Sequence, residues 1–198
     1  MRPAVFLDRD DTLIHCTDIT PDGDLGDPAL VKLLPGVSQG IAKLRSAGFP
    51  LVVVSNQGGV ARGRYTTLEV DRVNRRVNEL LDDAITRFYY CPWHPKGTVP
   101  EFTREHPWRK PQPGMLLQAA QDLELDLARS WMIGDADRDA EAGERAGCRA
   151  VLVARQFDPA ALTKRPPPAT GASYAGLTTL RASSFLEAAE LVLRESGR

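Results

Sequence analysis

The chain has 198 residues, 42% of them hydrophobic, with a formal net charge of -1. That length fits one α/β domain with a proper core, and the balanced charge carries no sign of a nucleic-acid footprint or of a patch for anionic membranes. Cys16, Cys91 and Cys148 are too few, and odd in number, for a disulfide framework, which suits a reducing compartment. The first apolar run is cut by Asp8 too soon for a signal peptide, and no stretch reaches the ~20 apolar residues of a membrane span. The chain is therefore expected to be soluble, cytoplasmic and monomeric, with residues 1–198 forming a single domain.

Ala4–Leu7 is a short apolar run predicted as a buried strand, with Asp8, Asp10 and Asp11 at its C-terminal tip. Thr17–Pro28, rich in Asp, Gly and Pro, reads as a loop. Val37–Ala47 has helical spacing and Gly48 as its stop. Leu51–Val54 is a β-branched run, a second strand tipped by Ser55 and Asn56. Thr67–Ala84 reads as a helix with a largely solvated outer face, and Phe88–Tyr90 as a third strand. Cys91–Trp108 is a proline-containing irregular insertion. Pro113-Gly114 opens a helix running to about Leu123, and Trp131–Ile133 is a fourth strand ending in Gly134-Asp135. Ala136–Ala146 is a helix stopped by Gly147, and Ala150–Val153 a fifth strand. The stretch from Ala154 to Ala175, with Pro166–Pro168, reads as a surface excursion. Ser184–Arg194 is a closing helix with Ser184 and Glu187 spaced as a capping box. Strands alternating with helices imply a parallel sheet covered on both faces, a Rossmann-like three-layer sandwich whose ligands bind at the strands' C-terminal ends.

The acids collect at those ends. In Asp8-Arg9-Asp10-Asp11-Thr12, two carboxylates separated by one residue can divide the work. One attacks phosphorus and holds the phosphoryl group as an acyl phosphate; the other protonates the leaving alkoxide and then deprotonates water. A nearby Mg²⁺ would reduce the repulsion between the anionic nucleophile and an anionic phosphate. The plainer reading is an acidic turn with a capping role. After the second strand, Ser55-Asn56-Gln57-Gly58-Gly59 offers a hydroxyl, amides and glycine N–H groups as a phosphate cradle, or simply a polar turn. Arg109-Lys110-Pro111 supplies a point charge and a bidentate cation, or a solvated basic pair. Asp135 at the fourth strand's tip can complete an oxygen-ligand metal site with Asp8, or cap a helix together with Asp137; Asp139 is an orienter or a first-turn acid.

These four motifs, in this order at strand ends and helix starts, resemble the haloacid dehalogenase superfamily of phosphohydrolases over roughly Ala4 to Val153. The resemblance implies that Asp8 is nucleophile and metal ligand. It implies Asp10 as general acid/base with its carbonyl on the metal, Ser55 as the phosphate-binding hydroxyl and Lys110 as the transition-state lysine. Asp135 is implied as the remaining Mg²⁺ ligand, and no large cap domain is expected. The runs Ser55–Gly63, Tyr89–Gly97 and Trp108–Met115 are similar to the D-glycero-D-manno-heptose-1,7-bisphosphate 7-phosphatase group, with the histidinol-phosphate phosphatases close by. On that likeness Arg109 is a specificity residue, and Asn56, Gln57, Arg62 and Arg64 are substrate-binding candidates.

Two features depart from the family pattern. Asp11 stands where glycine is usual. The family's zinc loop reads here as Cys91, Trp93, His106 and Trp108, so two of four ligands are tryptophan. Cys91, His94 and His106 would make only a partial site, and structural zinc wants four ligands. The expectation is no zinc, with the tryptophans holding the loop by burial. The open alternatives are a phosphatase for histidinol phosphate or another small phosphomonoester, a polynucleotide 3′-phosphatase, and a non-catalytic binding protein on the same scaffold. The intact acids and lysine speak against the last, and the neutral charge speaks against nucleic acid as a partner.

Overall fold

A computed structural model describes residues 1–20, 22–154 and 179–198. Six parallel strands form one sheet in the order β3-β2-β1-β4-β5-β6. They are β1 (Val5–Leu7), β2 (Leu51–Asn56), β3 (Arg87–Cys91), β4 (Trp131–Gly134), β5 (Arg149–Val153) and β6 (Leu180–Ala182). Side chains alternate across the sheet because a strand repeats every two residues. Val5, Leu7, Val53 and Ile133 enter one core, packed by α1 (Val37–Ser46), α2 (Thr67–Leu80) and α5 (Phe185–Glu195). Ala4, Phe6, Val54 and Met132 enter the other, packed by α3 (Gly114–Leu123) and by Ala142 of α4 (Asp137–Arg145). Each large side chain buried this way contributes roughly 1.5–3 kcal/mol. The result is the expected three-layer sandwich, and among the described residues no second sheet is inserted.

β1 pairs with both β2 and β4, so the strand order reverses at β1. Connections leave in opposite directions from that point and open a crevice at the strands' C-terminal ends. The tips of β1, β2 and β4 carry Asp8, Ser55-Asn56 and Gly134-Asp135, so the crevice is polar where the rest of the sheet is apolar. No helix among the described residues is long and apolar enough to cross a membrane.

Three local outcomes differ from the sequence reading. α2 stops at Leu80, not near Ala84, because Asp82 and Asp83 both turn left-handed at φ 51°. The Asn78 side chain secures that turn, accepting from Ile85 N and donating to Asp83. β6 was read as part of no element. In the α5 cap, Ser184 Oγ accepts from Glu187 N, but the Glu187 carboxylate accepts from Ser183 N and Oγ rather than from Ser184 N. Pro166–Pro168 lies outside the described residues.

Candidate active site

Asp8 N donates to Ile133 O at 2.9 Å, extending the sheet ladder one residue past β1 and fixing the acid over the crevice. Asp8 is buried, and Lys110 reaches it from the turn before α3. The Lys110 ammonium has three hydrogens and three oxygen neighbours: Asp8 Oδ1 at 2.7 Å, Val54 O at 2.7 Å and Asp139 Oδ1 at 2.8 Å. Burial pushes the Asp8 carboxyl upward, but Lys110 and then Arg138 outweigh it, leaving the acid below its usual range and ionised. Burial likewise presses Lys110 toward neutrality, and Asp139 and Asp8 reverse that, so the lysine stays charged.

Asp10 lies in a different environment. Arg9 Nε donates to Oδ1 at 2.9 Å, Arg9 Nη2 to Oδ2 at 3.1 Å, and Gln57 Nε2 to Oδ2 at 2.7 Å. Burial dominates there and raises the carboxyl above its usual range despite Arg9, with Asp8 adding to the rise. Two acids two residues apart are thus pushed in opposite directions, which suits one to attack and the other to carry a proton.

Asp8, Asp135 and Asp139 each offer a carboxylate oxygen within 4.8 Å of the others. Gly134 lets Asp139 come this close: a Cβ there would lie 2.6 Å from Asp139 Oδ2. Asp139 Oδ1 meets Lys110 and Oδ2 accepts from Ala136 N at 3.0 Å, which also caps α4. The hard oxygen donors of these three acids fit Mg²⁺. A cavity of about 240 Å³ opens at Asp8 and is lined also by Asp10, Ser55, Arg62, Arg109 and Arg138 among others.

Residues 107–180 match the HAD-hydrolase-like family model. A D-glycero-beta-D-manno-heptose-1,7-bisphosphate 7-phosphatase from Mesorhizobium japonicum is 43% identical over 148 residues, covering 73% of this chain and 66% of the relative. The Escherichia coli K12 enzyme of the same name is 36% identical over 160 residues, covering 79% of this chain and 81% of that one. The chain belongs to the haloacid dehalogenase superfamily, among its phosphatases. The fold agrees. A D,D-heptose 1,7-bisphosphate phosphatase from B. bronchiseptica, solved with magnesium and phosphate, superimposes with a TM-score of 0.76 at 28% identity, covering 98% of this chain and 99% of that one. A HAD-like phosphatase from Mesorhizobium loti gives 0.78 at 37% identity, covering 100% of this chain and 88% of that one.

Within this phosphatase several side chains expected at the substrate are employed otherwise. Gln57 is fully buried, with all four hydrogen-bonding positions of its amide filled by protein, so as placed it has none left for a substrate. Asn56 grips the Lys110 backbone from both sides, donating to Lys110 O and accepting from Lys110 N at 3.0 Å each. Arg62 lines the cavity but is forked onto Asp24, at 2.9 and 2.5 Å. Arg64 is exposed, 3.6 Å from Asp22, and is absent from the cavity lining. Arg109 lines the cavity, and its Nη1 donates to Trp93 O at 3.5 Å.

Cys91, His94 and His106 do not form a metal-ligand cluster among the described residues. Cys91 Sγ points at Trp93 O, and the two histidines accept backbone N–H bonds from Lys96 and Trp108. His106 stacks on Trp93 at 3.8 Å and meets Trp108 edge-on at 6.0 Å. Trp93 and Trp108 are half-buried rather than buried, and the His106 imidazole contacts both.

The sequence reading passed over Arg9, Tyr65, Asn74 and Arg138. Arg9 carried a signal, since an arginine between two acids at a buried strand tip needs a partner. Asn74 carried one as well: four residues after Val70 and three before Val77, it lies on the buried face of α2.

Proposed function

We propose that this phosphatase is a Mg²⁺-dependent phosphomonoester hydrolase that forms an aspartyl-phosphate on Asp8 and removes the 7-phosphate of D-glycero-D-manno-heptose 1,7-bisphosphate. Residues 1–198 are taken as one domain, working as a monomer in cytoplasmic carbohydrate metabolism; three free thiols suit that compartment. The observation that carries the chemistry is the Lys110 ammonium held between Asp8 and Asp139, with the Asp135 carboxylate beside them.

An Asp8 oxygen forms a bond to phosphorus while the bond to the sugar oxygen breaks, and Asp10 gives that oxygen its proton. Water then attacks the acyl phosphate. Asp10 takes the water's proton, inorganic phosphate leaves, and the Asp8 carboxylate is restored. The Ser55 hydroxyl meets a phosphoryl oxygen, and Lys110, bonded to Asp8, sets its positive charge beside the group where charge accumulates. Asp8, Asp135 and the Asp10 carbonyl would hold Mg²⁺, which when bound offsets the charge shared by nucleophile and phosphate. The names of the relatives support the heptose substrate, and Arg109 beside the cavity supplies a cation for its second phosphate.

A panel of heptose and hexose bisphosphates, histidinol phosphate, an aryl phosphate and a 3′-phosphorylated oligonucleotide, each with Mg²⁺, tests this reading. The heptose bisphosphate should give the highest kcat/KM. A higher value with histidinol phosphate would move the assignment to that substrate, and no phosphate release from any compound would end the enzymatic reading.

A further inference from the structure

Gln57 touches both groups that must be aimed at the substrate without reaching the cavity itself. Its orientation can be deduced from chemistry. Arg9 Nη2 lies 2.9 Å from Oε1, and a guanidinium only donates, so that end of the amide must be oxygen. The Tyr65 hydroxyl donates to the same oxygen at 2.8 Å. The NH₂ end therefore faces Asp10 Oδ2 at 2.7 Å and Ser55 Oγ at 2.8 Å. Flipping the amide would set its NH₂ against Arg9 and its oxygen against a carboxylate, two repulsive contacts in a buried place.

The supports of this amide are themselves fixed. Arg9 is fully buried and its Nη1 donates to Asn74 Oδ1 at 2.9 Å. Tyr65 lies against two glycines: a Cβ on Gly59 would come 2.6 Å from its hydroxyl oxygen, and one on Gly26 would come 2.6 Å from its Cβ. Only bare backbone leaves room for the ring. Once Ser55 Oγ accepts from Gln57, its single hydrogen is kept for another partner, and Ser55 lines the cavity.

We infer that Gln57 is a positioning residue: its amide, oriented by Arg9 and Tyr65, holds the Asp10 carboxyl in place for proton transfer and keeps the Ser55 hydrogen available to the phosphoryl group. The inference rests on the assignment of Asp10 as general acid made above. It predicts a dependence on the leaving group. A primary alkoxide needs its proton as the bond breaks, whereas an aryl oxide such as p-nitrophenolate hardly needs one. A displaced Asp10 therefore costs most on alkyl substrates.

The test compares wild type, Gln57→Leu, Gln57→Glu, Tyr65→Phe and Asp10→Asn on a primary-alkyl sugar phosphate and on p-nitrophenyl phosphate, with folding checked by thermal melting. Gln57→Glu keeps the shape and the acceptor for Arg9 and Tyr65 but removes both donated bonds, so it answers the question if the leucine variant does not fold. The expected result is a loss of kcat/KM at either Gln57 variant that is about tenfold or more larger on the alkyl than on the aryl substrate, mainly through kcat, with Asp10→Asn selective in the same sense. Tyr65→Phe should show a smaller selective loss. Equal losses on both substrates at Gln57, with Asp10→Asn selective, would overturn the positioning role alone. A non-selective Asp10→Asn would overturn the general-acid assignment and this inference with it.

Discussion

The Lys110 ammonium lies 2.7 Å from Asp8 Oδ1 across 102 residues of sequence, with both side chains buried. Two strand tips and a turn must close together for this contact to exist. Replacing Lys110 by methionine leaves Asp8 and Asp139 as buried anions without their shared cation. The expected cost is about 3–5 kcal/mol of stability by chemical denaturation. The expected loss in kcat is on the order of 10²–10³-fold. A Lys110→Met protein with wild-type midpoint and turnover would show that the pair matters to neither.

Asp11 occupies a left-handed conformation at φ 57°, the reason glycine suits this position. Its Oδ1 accepts from Cys16 N at 3.1 Å and Thr17 N at 2.9 Å, which compensates for the strain. Asp11→Gly relieves the strain and loses the bonds, so stability should change by less than about 1 kcal/mol. Asp11→Ala keeps the strain and loses the bonds, and should cost about 1–2 kcal/mol. Equal midpoints for the two variants would contradict this account.

The loop 91–108 should loosen in acid. Burial, then Arg104, lowers the basicity of His106, and burial, then Arg109, does the same at His94. A histidine less basic in the fold than when unfolded favours folding fully above the unfolded value of 6.5, and that contribution is lost as pH falls through the lower folded value. Protection of the loop amides, referred to their intrinsic exchange rates, should therefore fall as the pH drops below about 6.5. His106→Phe, which preserves the stack on Trp93, should blunt that fall. A pH-independent loop in the wild type would count against the imidazole stack.

Zinc should be far below one per chain in protein purified without chelator, because Cys91, His94 and His106 are each engaged within the loop. Near-stoichiometric zinc that disappears in Cys91→Ser would contradict this.

The sheet was legible because its strands are short apolar runs that end abruptly in acids or polar residues, as at Leu7-Asp8 and Val54-Ser55. β6 was not: Leu180-Arg181-Ala182 is three residues long, follows a proline-rich stretch and, among the described residues, pairs with β5 alone. The acids could be singled out because they follow directly on strand ends, and Lys110 because of its place in the four-motif pattern. Gln57 misled because Gly58 and Gly59 beside it suggest an open loop, whereas Gly59 makes room for the Tyr65 ring whose hydroxyl bonds the buried amide. Asn74 was missed because the polar residues of α2 suggest a solvated face, although Asn74 shares its face with Val70 and Val77.

The central claim is that phosphate passes through the carboxylate of Asp8. Quenching the enzyme during turnover and reducing it with borohydride converts an acyl phosphate to an alcohol at the modified side chain, and peptide mass mapping locates it. The account predicts substrate-dependent reduction at Asp8, absent in Asp8→Asn. Reduction at another carboxylate, or full turnover by Asp8→Asn, would contradict it.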